Sequence, residues 1–172
     1  FGRSRLGATT SGRVVGITGS VGKTSTKDFA HAALASTLRT ASSDKSFNND
    51  QGLPTTILNS PDDVEAMVLE MGMRGFGEIS RLCSIARPHV GVVTAVAAAH
   101  TERVGGLDGV EKAKGELVEA LPASGTAILN GDDPRVARMA SRTSAHVVTY
   151  AMNTTADVAM TSQSMDADGA VT

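Results

Sequence analysis

The chain has 172 residues and a formal charge of −2 at pH 7, from 16 Lys and Arg against 18 Asp and Glu. This length suits one domain with a real core, and the lack of a long basic run argues against a nucleic-acid partner. The single cysteine, Cys83, excludes an internal disulfide, and no apolar run is long enough for a membrane span or a secretory signal. We therefore expect a cytoplasmic protein that neither binds nucleic acid nor inserts into a membrane.

Short β-branched runs alternate with stretches of helical periodicity. In chain order, the pattern predicts strand 13–18, helix 24–38, strand 66–71, helix 78–86, strand 89–96, helix 109–121, strand 126–130, helix 134–141 and strand 145–150. In the first helix, Phe29, Ala33, Leu34 and Leu38 are expected to form the apolar face. Repeated βα units predict an α/β fold: a mostly parallel sheet with helices on both faces and functional side chains at the carboxyl ends of its strands.

The sequence GITGSVGKTST at 16–26 lies between the first strand and the first helix. A glycine-containing loop in that context aims backbone N–H groups at an anion, with Lys23 at the outer phosphates of a nucleotide and the Thr24 hydroxyl at Mg²⁺. The sequence matches the general motif G-x-x-x-x-G-K-[ST] only in part, because the first glycine of the motif is replaced by Ile17. The alternative is a tight turn with a surface lysine, and the strand-loop-helix context favours nucleotide binding.

Three further side chains are placed by the predicted strands. Glu70 ends the apolar run AMVLE, where a second metal-holding acid is expected, although a carboxylate that only caps a strand end is the alternative. His89 falls at the amino end of its strand, away from the site, and is interpreted as structural. His100 falls just beyond the carboxyl end of that strand, where it can serve as a ligand or contact a phosphate.

One lysine lies on the apolar face of the helix at 109–121. At about 100° per residue, Lys114 falls about 40° from Val110 and shares its face with Leu117, whereas Lys112 lies on the opposite side. On these residues alone, a lysine whose amine reaches solvent past the apolar stripe is the favoured explanation. A desolvated lysine would instead have a lowered pKa and a nucleophilic amine.

Six segments, in this order and approximate spacing, resemble the central ATPase domain of the Mur ligases: TGSVGKTS, NNDQGLP, LEMGMRGFGEI, AAAHTERVGG, KAKGELV and LNGDDP. The resemblance covers about residues 13–150 and accounts for Ile17, because this family uses the shorter form Gly-x-x-Gly-Lys-Thr. It implies ATP-driven amide-bond formation in peptidoglycan precursor synthesis through an acyl phosphate. The sequences of these segments are most similar to those of the branch that joins D-alanyl-D-alanine to UDP-N-acetylmuramoyl-tripeptide.

The resemblance also implies a role for individual residues. The nucleotide would contact Gly19, Ser20, Val21, Gly22, Lys23, Thr24, Ser25 and Asn130. Two Mg²⁺ ions would be bound by Thr24, Glu70, His100 and Lys114, the lysine having reacted with CO₂ to give a carbamate. Lys23, Lys114 and His100 would be the catalytic residues.

Two asparagines, Asn48 and Asn49, match the family's substrate-side positions, and an ordinary Asx turn is the alternative for either of them. Asn130 and the pair Asp132-Asp133 match its nucleotide-side motif, with a cap on the helix that starts at Pro134 as the alternative.

The resemblance divides the chain into a linker remnant at 1–12, the central ATP-binding domain at 13–150, and the start of an extension at 151–172. It implies amino- and carboxyl-terminal domains of the same enzyme that this chain lacks. Two other functions stay open: another ligase of the superfamily, such as a folylpolyglutamate synthase, and a nucleotide-binding module resembling a GTPase switch. The second lacks an Asn-Lys-x-Asp guanine element in this sequence.

Overall fold

The computed structural model describes residues 13–43, 47–98 and 101–161. Its elements in chain order are β1 (Val14–Thr18), α1 (Lys23–Ala35), β2 (Thr40–Ser42), α2 (Gly52–Asn59), β3 (Ala66–Glu70), α3 (Glu78–Ala86), β4 (Val90–Val93), α4 (Thr101–Val104), α5 (Leu107–Glu119), β5 (Thr126–Asn130), α6 (Pro134–Ala137), a 3-10 helix (Arg138–Arg142), β6 (His146–Ala151) and β7 (Val158–Ala159). Within these ranges, no helix is long and apolar enough to cross a membrane.

The strands form one seven-stranded sheet in the order β2-β3-β1-β4-β5-β6-β7, and every neighbouring pair is parallel. Strand β1 lies in the middle, with Ile17 paired to Glu70 of β3 on one side and to Val92 of β4 on the other. The carboxyl ends of these three strands therefore meet at the centre of one sheet edge. The predicted α/β fold with a parallel sheet is confirmed.

Alternating side chains of the central strands enter two cores, one on each face of the sheet. Val14, Met67 and Leu69 join a large cluster with residues of α2, α3 and α5. Ile17 and Val68 point to the other face, where Ala30 and Leu34 of α1 pack against them. Helices thus cover both faces, with more of them on the face that carries α5.

The predicted apolar face of α1 is confirmed for Leu34 and wrong for Phe29 and Ala33. Phe29 is 76% exposed and Ala33 is also exposed, whereas Ala30 and Leu34 are the residues that pack on the sheet. The helix also ends at Ala35 rather than at 38, in a turn where the N–H groups of Thr37 and Leu38 both donate to Leu34 O. Helical spacing alone fits either orientation, and the shorter helix removes Leu38 from the face.

Other differences concern short elements and element ends. Strand β4 stops at Val93 rather than at 96, and the hydroxyl of the next residue, Thr94, donates to Val21 O at 2.6 Å. The predicted helix 134–141 is split into α6 and the 3-10 helix. The strand at 40–42 and the helices at 52–59 and 101–104 were not predicted; Pro54 in the first turn of α2 is tolerated because its missing N–H needs no acceptor there.

Candidate functional site

The loop between β1 and α1 packs against, and is hydrogen-bonded to, the segment that follows β4. Gly19 has a φ of 153°, and a Cβ there would lie 1.9 Å from Thr94 Oγ1, so no larger residue fits. Ser20 N donates to Ala95 O at 2.8 Å, and Ser20 Oγ accepts from Ala97 N at 2.9 Å. The loop conformation is therefore fixed by the neighbouring strand end.

Lys23 and Thr24 begin α1 directly after Gly22, which has a φ of 82°. The first N–H groups of a helix have no intrahelical acceptor and carry a partial positive charge. Lys23 folds back over the loop, with Nζ donating to Gly19 O at 2.9 Å. N–H groups and an ammonium around one loop form a site suited to a phosphate.

The last residue of β3, Glu70, is a carboxylate only 1% exposed to solvent. Its Oε2 accepts from Thr24 Oγ1 and its Oε1 accepts from Asn48 Nδ2, each at 2.8 Å. A carboxylate has about four lone-pair sites, so two hydrogen bonds leave room for a further ligand. Asn48 is also tied to the chain after β3, because its O accepts from Gly72 N at 2.8 Å.

The two adjacent asparagines have different local roles. Asn48 contacts Glu70, whereas Asn49 Oδ1 accepts from Gln51 N at 3.1 Å and from Gly52 N at 2.8 Å. Asn49 therefore forms an Asx turn directly before α2. Contact of either side chain with a substrate stays a prediction.

Lys114 points inward from α5 and is 4% exposed. No hydrogen bond or ion pair joins its amine to another described residue. Burial, and secondly the positive charge of Lys23, lowers the pKa of Lys114 from 10.5 to about 8. Lys112 is exposed, with Nζ 5.5 Å from the centre of the Phe76 ring. The predicted orientation of both lysines is confirmed. The Lys114 side chain is buried, and its amine keeps a small contact with solvent, because no fully buried side-chain nitrogen or oxygen of the described residues lacks a hydrogen-bond partner.

These groups meet at one cleft of about 440 Å³. Its lining residues are Gly19, Ser20, Lys23, Asn48, Asn49, Asp50, Gly72, Met73, Arg74, Glu78, Arg81, Leu82 and Lys114. The phosphate loop and Lys114 therefore face the loop that follows β3 across a space large enough for a ligand. Glu70 and Thr24 do not line this cleft; Glu70 lies behind the lining residue Asn48, which donates to it, and Thr24 donates to the other oxygen of Glu70.

Asn130 lies apart from that cleft. Its Nδ2 donates to Thr94 O at 2.9 Å, and it lines a neighbouring depression with Asp132 and Asp133. Asp133 Oδ1 accepts from Arg135 N at 2.9 Å, which confirms the capping alternative for Asp133 at the start of α6. A nucleotide contact by Asn130 stays a prediction, and His100 lies outside the described residues.

Comparison with known proteins decides the family. The family model of the Mur ligase middle domain matches residues 17–171. The chain belongs to the Mur ligase family. It is 43% identical over 145 residues to UDP-N-acetylmuramoyl-tripeptide--D-alanyl-D-alanine ligase of Mycobacterium bovis, a match that covers 84% of this chain and 28% of the relative. The ligase of the same name from Bacillus subtilis is 43% identical over 122 residues, covering 71% of this chain and 27% of the relative.

A solved structure agrees with this assignment. The MurF ligase from Thermotoga maritima in complex with ADP superimposes with a TM-score of 0.89 and 30% identity, over 99% of this chain and 39% of that one. The match to the M. bovis relative covers only about 28% of that protein's length. The described residues of this Mur ligase domain are those of an α/β nucleotide-binding fold.

The cleft also contains residues that the sequence patterns did not single out, namely Asp50, Arg74, Glu78 and Arg81. Asp50 lies in the NNDQGLP segment and Arg74 and Glu78 lie in LEMGMRGFGEI, which contributed to the resemblance to Mur ligases but matched no chemical motif; Arg81 lies two residues beyond the second segment. Arg81 Nη1 lies 3.7 Å from Asp50 Oδ2 at the rim. The signal available in the sequence was that these charged residues lie in the connections after β2 and β3 and in the first turn of α3, on the side of the sheet where parallel strands place their sites.

The donor set fits Mg²⁺ bound together with a nucleotide. No group of three or more His, Cys, Asp and Glu that could hold a metal occurs in the described part of the chain. Mg²⁺ usually keeps several waters and binds one or two carboxylates together with phosphate oxygens. One hydroxyl and one buried carboxylate beside a phosphate loop are what such a site needs from this Mur ligase domain.

Proposed function

We propose that this chain is the ATP-binding part of a ligase that joins D-alanyl-D-alanine to UDP-N-acetylmuramoyl-tripeptide in peptidoglycan precursor synthesis. The observation that carries the proposal is one cleft lined by the phosphate loop, by Asn48, whose amide donates to Glu70, and by the buried Lys114. The 43% identity to relatives with that name favours this branch over folylpolyglutamate synthase. A guanine-binding switch is not favoured, because the sequence lacks Asn-Lys-x-Asp.

The proposed reaction has two steps. The terminal carboxylate of the tripeptide attacks the γ-phosphorus of ATP, and the bond to ADP breaks. The amine of D-alanyl-D-alanine then attacks the acyl phosphate carbon, phosphate leaves, and the amine loses a proton. Lys23 and the N–H groups at the start of α1 stabilise the negative charge on the transferred group, since preorganised donors cost no reorganisation during reaction. Lys23 needs only to turn from Gly19 O toward that phosphate.

Two ions of Mg²⁺ would neutralise phosphate charge in this cleft. Thr24 and Glu70 would hold the first, because the Thr24 hydroxyl can donate to Glu70 while its lone pairs stay free. Lys114, as its carbamate, would supply oxygen ligands for the second, together with His100. With a pKa of about 8, roughly one tenth of the Lys114 amine is neutral at pH 7 and able to attack CO₂. The roles of Ser25, Val21 and Asn130 belong to the same proposal.

The wall formed by Asn48, Asn49, Arg74 and Arg81 would receive the peptide, since amides and guanidinium groups suit peptide carbonyls and carboxylates. Amino- and carboxyl-terminal domains of the same enzyme, which bring the UDP-sugar and the amine, are part of the proposal, as is a cytoplasmic location. We expect the isolated 172-residue chain to show no D-alanyl-D-alanine ligation. Robust ligation by that chain would contradict the need for further domains.

The test is calorimetric titration of ATP and of GTP into the full-length ligase and its Lys23→Ala variant, with Lys112→Ala as the control. We expect Lys23→Ala to weaken ATP binding at least about tenfold, since a hydrogen bond to a charged group contributes about 1.5–3 kcal/mol. Lys112→Ala should bind as the wild type does. Unchanged binding by Lys23→Ala would refute the phosphate site. ADP release with UDP-N-acetylmuramoyl-tripeptide plus D-alanyl-D-alanine, compared with folate substrates, tests the branch.

A further inference from the structure

The loop 72–77 forms the wall of the cleft opposite the phosphate loop. Gly72, Met73 and Arg74 line the cleft directly, and Gly77, with a φ of 80°, leads into α3. Gly77 is the cap position of α3 and has no side chain with which to satisfy the helix N–H groups. The loop therefore needs an acceptor from elsewhere in the fold.

Glu116 of α5 supplies that acceptor. Its Oε1 accepts from Gly77 N at 2.7 Å, and its Oε2 accepts from Ser80 N at 3.0 Å. One carboxylate thus holds both the end of the loop and the first turn of α3, where a negative charge also interacts favourably with the helix dipole. At the other end of the loop, Glu78 Oε2 accepts from Arg74 N at 2.7 Å.

A second contact runs from the same face of α5 to the same loop. Lys112 Nζ lies 5.5 Å from the centre of the Phe76 ring, a cation–π distance. Lys112 and Glu116 are four residues apart, so they share a face of the helix, and Lys114 between them points about 160° away, into the cleft. Lys112 and Phe76 are both exposed, so their contact is weak and the loop is held mainly by Glu116. A single helix therefore carries the buried lysine on one side and, through Glu116, holds the opposite wall of the cleft on the other.

We propose that Glu116 is a positioning residue for the peptide substrate, because it fixes the loop 72–77 relative to Lys114. The inference rests on the proposed function, since it assigns that wall to the muramoyl peptide. Loss of Glu116 should free the loop rather than detach α3, because Ile79, Leu82, Cys83 and Ala86 keep that helix anchored in the core. The phosphate loop is held by Thr94 and Ala95 instead, so nucleotide binding should be spared.

The test compares Glu116→Ala and Glu116→Gln in the full-length ligase, with Glu119→Ala as a control on the same helix, where Glu119 pairs with Arg142 away from the loop. We expect Glu116→Ala to raise the KM for UDP-N-acetylmuramoyl-tripeptide about tenfold, the equivalent of one lost charge-assisted hydrogen bond, and to leave the KM for ATP within about twofold. Glu116→Gln should recover only part of the loss, because its amide oxygen can accept from one of the two N–H groups while its NH2 group opposes the other. Glu119→Ala should match the wild type.

Amide hydrogen exchange over residues 72–80 gives a readout that does not depend on the reaction. Exchange should be faster in Glu116→Ala than in the wild type and in Glu119→Ala. Unchanged exchange, or KM values that rise equally for both substrates, would overturn the role of Glu116. A wild-type enzyme that ligates no muramoyl peptide would overturn the proposed function instead, and exchange would still decide whether Glu116 orders the loop.

Discussion

Replacing Lys114 by Met should stabilise the chain at neutral pH. Lys114 is 4% exposed, and no described residue forms a hydrogen bond or an ion pair with its amine. Burial and the charge of Lys23 lower the pKa of this amine from 10.5 to about 8. The folded chain therefore binds a proton at this position less readily than the unfolded chain does. Met keeps an unbranched, flexible side chain and removes the charge.

The sign and size of the effect follow from proton linkage. Above pH 10.5 the Lys114 amine is neutral in both the folded and the unfolded chain, so its burial does not lower the free energy of unfolding through its charge. As the pH falls from 10.5 to about 8 the unfolded state takes up the proton first, so stability falls; below about 8 the full cost is present. At 1.36 kcal/mol per pKa unit the cost is at most about 3 kcal/mol. Lys114→Met should raise the free energy of unfolding at pH 7 by about 2–3 kcal/mol and the Tm by about 4–12 °C.

The assay is urea unfolding followed by circular dichroism between pH 7 and 10.5, in CO₂-free buffer with a chelator so that neither carbamate nor metal contributes. The measured quantity is the difference between wild type and Lys114→Met, which should shrink toward zero as the pH rises from 8 to 10.5. Lys112→Met is the matched control, because Lys112 is exposed on the same helix. A Lys114→Met chain less stable than wild type at pH 7, or a difference independent of pH, would refute the burial cost.

Three further predictions concern packing, reactivity and catalysis. Gly109→Ala should destabilise the chain by about 1–3 kcal/mol, since its Cβ would lie 1.6 Å from Val104 O, whereas Gly75→Ala, with its nearest atom at 3.6 Å, should be neutral in the same thermal melts. Burial raises the pKa of the Cys83 thiol to about 12, so a thiol reagent at pH 8 should label it only after unfolding; rapid labelling of the folded chain would contradict this. In the full-length ligase, Lys114→Ala should lose activity and regain part of it with added short carboxylic acids, while Lys112→Ala stays near normal; the reverse pattern would refute the carbamate.

The long elements could be predicted from sequence, because their periodicity reflects burial on a sheet. The helix Glu78–Ala86 and the strand Thr126–Asn130 have their predicted bounds. The strand Thr40–Ser42 has three residues, too few to show alternation, and the orientation of α1 depends on which face the sheet offers. Phe29 at 76% exposure shows that apolar spacing identifies a helix without identifying its buried side.

Site residues that lie at the end of one strand could be predicted from the sequence. Contacts between residues of two different loops could not. Glu70 and the phosphate loop were located by the strand ends that precede them. The contact of Asn48 with Glu70 joins residues 22 positions apart, and that of Thr94 with Val21 joins residues 73 positions apart. Such contacts depend on the strand order, which local patterns do not contain. The inward position of Lys114 followed from helix angles, but its burial depends on the elements packed around it.

The two halves of the cleft differ in how far they are organised before any ligand arrives. Each oxygen of Glu70 already accepts a hydrogen bond, and Thr24 and Asn48 are held by that carboxylate, so this half needs little rearrangement to receive a cation. Lys114 has no such partner, and its pKa is lowered by burial and secondly by the positive charge of Lys23. An amine buried beside another cation is stabilised by any anion that enters the cleft or by its own conversion to an anion. Lys114 is therefore the group whose chemical state should change most when phosphate, metal and CO₂ are present. A spectroscopic or mass shift at Lys114 on adding all three would show this change directly.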